Sequence, residues 1–538
     1  MHQLNDWIRH LALRTKLPAD PLGRRRFLSQ TIWTATGLGL AANLSLPLAA
    51  QNAARVRFVA EPFTLGVASG YPHPHGFSLW TRLAPAPWLA NGGMGEERVP
   101  LRCEIADDDA FKKILQTLNF ETAPEVAHSV HLDIDGLPAG RRYYYRFLCG
   151  DAVSTTGRTH TLPEIGSSLD RYRIAFASCQ NYEHGYFSAY RQMQKDAPDL
   201  VLFLGDYIYE SQWGNNSIRR HLGPEAATLK GYRIRHAQYK LDSDLQNMHA
   251  AGPWAFAWDD HEVDNDYAGE QSENLDPAFV LRRAAAYQAY FEHMPVPRRM
   301  FPRSSEMRIY THFDVGDLLR VFLLDDRQYR TPQACPRLNR HSSQTLADCG
   351  ELQDPGQTLL GRAQESWLSD AFRSSKAQWN LIGQQTLVSP LDEMAGAARG
   401  VWTDGWDGYP LARQRLINDM AQLKNPVIAG GDIHCAIVAG LPSDPSKLDS
   451  KPIASEFVAT SISADGWPQS HYEKMTHGDN PHVLQTRSDQ RGYTLLDFGR
   501  ERMSASLQVV SDVRVPEPQF SEQARYIVEN DRPGPQAV

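Results

Sequence analysis

Residues 200–210 read LVLFLGDYIYE. Leu200 to Leu204 form an unbroken apolar run of strand length, which Gly205 and Asp206 end, with two tyrosines and a glutamate following. Such a run without polar alternation predicts a strand buried on both faces, as in a parallel sheet covered by helices. One carboxylate at the end of a strand is ordinary, because strands stop in turns and Asp favours turns. Here the ending recurs. YRIAFASC (172–179) closes on Cys179, WAFAWDDHE (254–262) on Asp259, Asp260 and His261, and LLRVFLLDDR (318–327) on Asp325, Asp326 and Arg327. WNLIGQQ (379–385) closes on Gln384, and NPVIAGGDIH (425–434) on Asp432 and His434. Ligands of open α/β sheets bind outside the carboxyl ends of the strands, so these endings predict one shared site.

From about residue 170 the strand-like runs alternate with longer helix-like segments, the pattern of an α/β domain. Residues 58–165 read differently. VHLDIDGL (130–137) alternates Val130, Leu132 and Ile134 with polar residues, and RRYYYRFLC (141–149) turns Tyr143, Tyr145 and Phe147 to one face. LPAG (137–140) supplies a tight connection between them. With GFSLWTRLAP (76–85) these runs predict an antiparallel β-sandwich of immunoglobulin or fibronectin type. The last segment, 511–538, is Pro-rich and charged and reads as a tail or a short helix lying back on the body.

A chain of 538 residues predicts two or three units, and 42% hydrophobic residues with 12 Trp, 21 Tyr and 20 Phe are ample for a large core. The formal net charge of −8, with no basic run outside the N-terminus, argues against a nucleic-acid-binding module. PLGRRRFLSQ (21–30) precedes a moderately apolar stretch, TIWTATGLGLAANLSLPLAA (31–50), that ends in small residues. Basic region, apolar stretch and small-residue end describe a signal peptide over residues 1–50. Its Arg-Arg-x-Phe-Leu order resembles the twin-arginine export signal, with Gly23 where Ser or Thr is usual and Ser29 where Lys is usual. That resemblance implies the twin-arginine export machinery as a partner, a periplasmic or secreted location, and export in the folded state. Folded export suits an enzyme that must load its metal first. No other stretch is apolar enough to predict a membrane span in the mature chain. An exported chain can form disulfides. Among the six cysteines, Cys335 and Cys349 share a Pro/Asn/Ser-rich stretch and Cys103 and Cys149 lie on predicted strands of the β-domain, so each pair is a candidate bridge. Cys435 reads as core filler.

The donors at the strand ends are a thiol, several carboxylates, a phenol and an imidazole. Carboxylates suit Ca²⁺, Mg²⁺ or Mn²⁺, whereas imidazole and thiolate favour Fe or Zn. A phenol loses its proton near neutrality only beside a strongly polarising ion such as Fe³⁺. The mixture predicts two unlike metals side by side, with Asp206 between them and Tyr209 on the trivalent one.

FASCQNYEHGYFSAY (176–190), LFLGDYIYE (202–210), WDDHEVDNDY (258–267), LLDDRQYR (323–330), GRAQESWL (361–368) and GGDIH (430–434) resemble the PhoD-like alkaline phosphatase family, in that family's order. The resemblance covers roughly residues 58–500. It implies an N-terminal β-sandwich followed by a metallophosphoesterase-like α/β-sandwich catalytic domain over 170–510. It also implies an exported phosphomonoesterase and phosphodiesterase with an iron and calcium centre. By the same resemblance Cys179, Asp206, Tyr209 and His434 would hold Fe³⁺, and Asp206, Asp432 and the Asp259–Asp260 pair would hold Ca²⁺. Which of that pair binds directly, and whether Asn265 helps, stays open. Cys179 replaces the Asp-x-His start usual in the wider metallophosphoesterase group, and DDHE stands where Asn-His-Asp/Glu would be. His261 is expected near the leaving group as an acid or as a hydrogen-bond donor to phosphate. Arg327, the one cation at these strand ends, is expected to clamp phosphate, because a guanidinium matches phosphate oxygens bidentately. His184 and Asn181 are weaker candidates. Two metals would activate a hydroxide for in-line attack on phosphorus and neutralise the charge that develops. The competing readings are a phospholipase D-type phosphodiesterase on the same scaffold and a catalytically inactive exported binding protein.

Overall fold

An apolar run such as Leu200–Leu204 is stable only where neighbouring strands on both sides take up its backbone donors and acceptors. In the computed structural model, which describes residues 57–213, 217–347, 349–394, 399–476 and 479–538, it lies between Arg171–Ala177 and Pro253–Ala257 and pairs in parallel with both. The antiparallel strands Arg491–Gly499, Arg502–Val510, Phe520–Glu529 and Arg532–Ala537 extend this sheet outward from Arg171–Ala177. On the other side Val67–His73, Gly76–Arg82 and Ser129–Ile134 extend it from Pro253–Ala257, giving ten strands.

A second sheet of seven strands contains a parallel set, Leu319–Leu323, Trp379–Gly383, Pro426–Gly430 and Pro452–Val458. Side chains alternate across a strand, and the burial follows that period. Val321, Leu381, Val427 and Ala429 join a core shared with Ile174, Leu202 and Phe256 of the first sheet. Phe322, Ile382 and Ile428 point the other way, onto the helices Gly361–Arg373 and Pro410–Met420 through Leu368, Phe372 and Ile417. The helices Ala189–Asp196, Ser243–Ala251 and Phe279–His293 supply Tyr190, Met248 and Tyr290 to the core of the first sheet. Two sheets packed face to face between helical layers make the α/β-sandwich.

The N-terminal region is all antiparallel. Val99–Ala106, Ile114–Thr122 and Arg142–Cys149 form a separate sheet. Tyr143, Tyr145 and Phe147 on it are buried against Phe77, Leu79, Val130 and Ile134. That opposing layer is also the end of the ten-stranded catalytic sheet. The junction is the short parallel pairing of Ser69 with Pro253 and Gly70 with Trp254. Gly70 is required there, since a Cβ would stand 2.3 Å from the Pro295 carbonyl oxygen.

Residues 511–538, predicted as a tail or short helix, instead form the edge hairpin of the ten-stranded sheet. Tyr526 and Val528 are buried, and Asn530 and Asp531, the latter at φ 59°, make the turn. Pro533 and Pro535 are tolerated because the last strand has a free edge. Cys335 and Cys349 are bridged, whereas Cys103 and Cys149, predicted as a candidate pair, are both free and buried. No helix among the described residues is long and apolar enough to cross a membrane. The predicted signal peptide, 1–50, lies outside the described residues.

Candidate metal centre

The carboxyl ends of the parallel strands from both sheets meet. Cys179 N–H donates to the Gly205 carbonyl at 3.0 Å, and a Cβ on Gly205 would touch that of Asp259 at 2.5 Å. Across the sandwich, a Cβ on Gly431 would touch Ser178 at 2.5–2.6 Å. Gln385 Nε2 donates to the carbonyls of Trp258 and Leu324. Gly205 thus lets neighbouring strand ends of the first sheet approach at backbone distance, and Gly431 does the same across the two sheets.

Four residues at this meeting point have left-handed backbones although none is glycine: Cys179 (φ 58°), Asp206 (57°), Asp432 (62°) and His434 (54°). Each such conformation costs on the order of 1–3 kcal/mol and persists where surrounding structure enforces it, typically at functional sites. It turns each side chain off the end of its strand. Donor atoms of Cys179, Asp206 and His434 lie within 4.8 Å of one another, and those of Asp206, Asp260 and His261 form a second such group. Asp206 belongs to both. Tyr209 Oη donates to Asp206 Oδ2 at 2.9 Å and lies 3.0 Å from His434 Nε2. Asp432 is within electrostatic reach of Asp206, Asp259, Asp260 and Arg327.

The protonation pattern calls for positive charge. Burial pushes the Cys179 thiol, the Tyr209 phenol and the Asp206 and Asp259 carboxyls well above their usual ranges, and the neighbouring acids add to it. Burial likewise raises Asp432 to about 6. Asp259 Oδ2 is buried without a hydrogen-bond partner among the described residues. The His434 Nδ1–H donates to the Asp465 carbonyl at 2.5 Å, which leaves the Nε2 lone pair facing the group. Burial holds this imidazole neutral, down at about 3. An orphaned buried carboxylate oxygen, an acid shared by two donor groups and an imidazole fixed as the free-Nε2 tautomer fit bound cations.

His261 stands apart in charge. Burial disfavours its imidazolium, but Glu210, Asp260 and Asp206 outweigh that and hold it protonated. Its Nδ1–H donates to Glu210 Oε2 at 2.8 Å, and its ring lies 4.3 Å from that of Tyr209. Arg327 is fully buried. Its Nε contacts Asp259 Oδ1, Nη2 lies 3.6 Å from Asp260 Oδ1, and Nη1 lies 2.7 Å from Asp404 Oδ2. Its three neighbours are protein carboxylates.

Other residues at these strand ends make hydrogen bonds within the protein. Asp325 accepts from Trp258 Nε1 at 3.1 Å and from the backbone of Arg327 and Gln328. Asp326 accepts from Gln385 N, and Gln384 accepts from Trp406 Nε1. Asn265 directs its side-chain amide to Glu273, and Asn181 accepts from Glu183 N.

One residue was not singled out in the sequence. Glu262 accepts from the backbone N–H groups of Asp206 (3.1 Å), Tyr207 (2.6 Å) and Asp259 (2.8 Å), clamping two adjacent strand ends. Its place in the DDHE run was the available signal. Glu262→Ala leaves three buried donors unpaired and frees both loops. The expected result is a metal dissociation constant raised about 10–100-fold, the range for residues that support metal ligands. Metal titration of the stripped protein reads this, and wild-type affinity in the variant would show that the clamp is irrelevant to binding.

The family model described as PhoD-like phosphatase matches residues 174–507, and that for the PhoD-like phosphatase N-terminal domain matches 49–163. The chain is 40% identical to alkaline phosphatase D of Bacillus subtilis (strain 168) over an alignment of 556 residues, covering 99% of this chain and 92% of that protein. A solved structure titled "Structure of PhoD" superposes with a TM-score of 0.85 at 40% identity, covering 90% of this chain and 93% of the other.

Proposed function

Because the chain belongs to the PhoD-like phosphatase family and is a phosphoric ester hydrolase, we propose that it is an exported alkaline phosphatase of mono- and diesters with an iron–calcium centre. The observation that carries this reading is Asp206, whose carboxylate lies with the Cys179 thiol and the His434 imidazole on one side and with the Asp260 carboxylate on the other. Cys179, Asp206, Tyr209 and His434 would hold Fe³⁺; Asp206, Asp432, Asp259 and Asp260 would hold Ca²⁺. The chemistry such ions supply is activation of water at moderate pH and neutralisation of charge on the phosphoryl oxygens.

The protein's own contributions follow from its hydrogen bonds. Tyr209 donates to Asp206, and the Asp465 carbonyl fixes the free nitrogen of His434 inward, 3.0 Å from the phenol oxygen. Glu262 holds Asp206 and Asp259 at a set spacing. His261 commits its Nδ1–H to Glu210, so the proton available to a departing alkoxide is the one on Nε2. Cys179, Asp206, Tyr209, Asp259 and Asp260 are buried, which strengthens their interactions, while Asp432 and His434 are half-buried on the open side of the cluster. Twin-arginine export is supported by the Arg24-Arg25-Arg26-Phe27-Leu28 run and places the enzyme in the periplasm or medium.

The test is elemental analysis of the purified protein with parallel assays on a phosphomonoester and a phosphodiester before and after chelation. The expected results are iron and calcium together, a visible tyrosinate-to-iron absorption band, and turnover of both esters that chelation abolishes. Zinc or manganese without the band would overturn the proposed metals, and chelator-resistant turnover would overturn metal dependence itself.

A further inference from the structure

Two tryptophans on the loops flanking this cluster are exposed, Trp213 by 42% and Trp467 by 63%. Single exposed apolar residues need no explanation, but these two are tethered to one another and to the cluster. His184 makes the tether. Its Nε2–H donates to the Trp213 carbonyl at 2.9 Å, and its Nδ1 accepts from Asp465 N–H at 3.0 Å. The carbonyl of the same Asp465 fixes His434. Trp467 follows two residues later, after Gly466, where a Cβ would meet His434 at 2.8–2.9 Å. The weaker sequence candidate His184 thus holds both loops against a metal-facing histidine.

The Trp213 ring stands edge-to-face with His261, at 5.2 Å between centroids and 90° between planes. An indole has two faces, and this contact takes at most one. Among the described residues no other ring or cation packs on Trp213. Its Nε1–H is already committed to Ser211 Oγ at 3.1 Å, so what it offers a ligand is apolar ring surface. Such a surface at the rim of the donor cluster, packed on a histidine whose backbone N–H reaches Asp206, is open to the alcohol portion of a phosphoester held there.

We propose that Trp213 forms a leaving-group subsite for phosphoesters whose alcohol carries a flat aromatic ring, aryl or nucleobase. The assignment rests on the hydrolase reading above. A stacked base or ring is worth roughly 1–3 kcal/mol by alanine substitution, or about 5- to 150-fold in binding, whereas a polyol offers no π-face.

The experiment measures kcat and KM of the metal-replete enzyme on phenyl phosphate, adenosine 5′-monophosphate and glycerol phosphate. For Trp213→Ala, the kcat/KM ratio of a flat substrate to glycerol phosphate is expected to fall about tenfold, through KM, with Trp213→Phe restoring most of it. A fall for phenyl phosphate alone places the stacking ring next to the phosphorus, and one for the nucleotide alone places it a sugar's length away. An unchanged ratio, or an equal fall in kcat on all three esters, overturns the subsite. The two readings fail separately. A metal-loaded wild type that hydrolyses none of the three esters defeats the hydrolase reading. One that hydrolyses all three without discrimination defeats only the subsite.

Discussion

Asp206→Ala is expected to lose both ions and at least about a thousandfold in kcat/KM, the largest effect of any single substitution in this protein. The magnitude follows from its position. Supporting residues outside a metal's ligand set cost 10–100-fold, and Asp206 is shared by both donor groups. Removing it also removes the acceptor of the Tyr209 hydroxyl and a contact of His261 N–H. Asp206→Asn keeps the shape but not the charge, and its expected place is between wild type and alanine. Metal content per chain and turnover should fall together in both variants. An alanine variant that retains both metals, with activity within tenfold of wild type, would sink the assignment of Asp206 as the shared ligand.

How much of this was legible in the sequence depended on whether the interaction was local. Strand ends carry a local signature, an apolar run followed by Gly-Asp, Ser-Cys or Asp-Asp, and so Cys179, Asp206, Asp259, Asp260, Asp432 and His434 could be picked out from 256 positions of chain. For Glu262 only its place in the DDHE run was legible, because the amides at 206 and 207 from which it also accepts are distant in sequence. The fusion of the β-domain with the catalytic sheet was equally hidden. It rests on two residue pairs and on one glycine that permits a backbone contact with Pro295. The C-terminal hairpin was misread because prolines speak against a strand, and the exemption for an edge becomes visible only once the sheet order is known. Trp213 and Asp404 lie outside any strand or helix pattern, and only the fold brings them to His261 and Arg327.

Arg327→Met separates two readings of that arginine. As a phosphate clamp it would be dispensable for folding, and its loss would raise KM in a stable protein. Its surroundings argue otherwise: the guanidinium is buried among Asp259, Asp260 and Asp404, and Asp404 is shared with Arg330 at 2.8 Å and Gln333 at 2.7 Å. Removing one partner of a buried ion pair leaves uncompensated charge and costs about 3–5 kcal/mol. Here three carboxylates lose their common cation, so the upper end of that range is expected, read as a lowered midpoint in denaturant. Lysine does not rescue it, because one ammonium cannot span three carboxylates as a planar fork does. Asp404→Asn leaves Arg327 its two other acids, and its expected loss is smaller. Bound Ca²⁺ would take over part of the charge on Asp259 and Asp260, so the methionine variant should be rescued partially by calcium. If Arg327→Met unfolds at the wild-type denaturant midpoint and only its KM rises, the guanidinium faces phosphate and its role as an internal counter-charge is wrong.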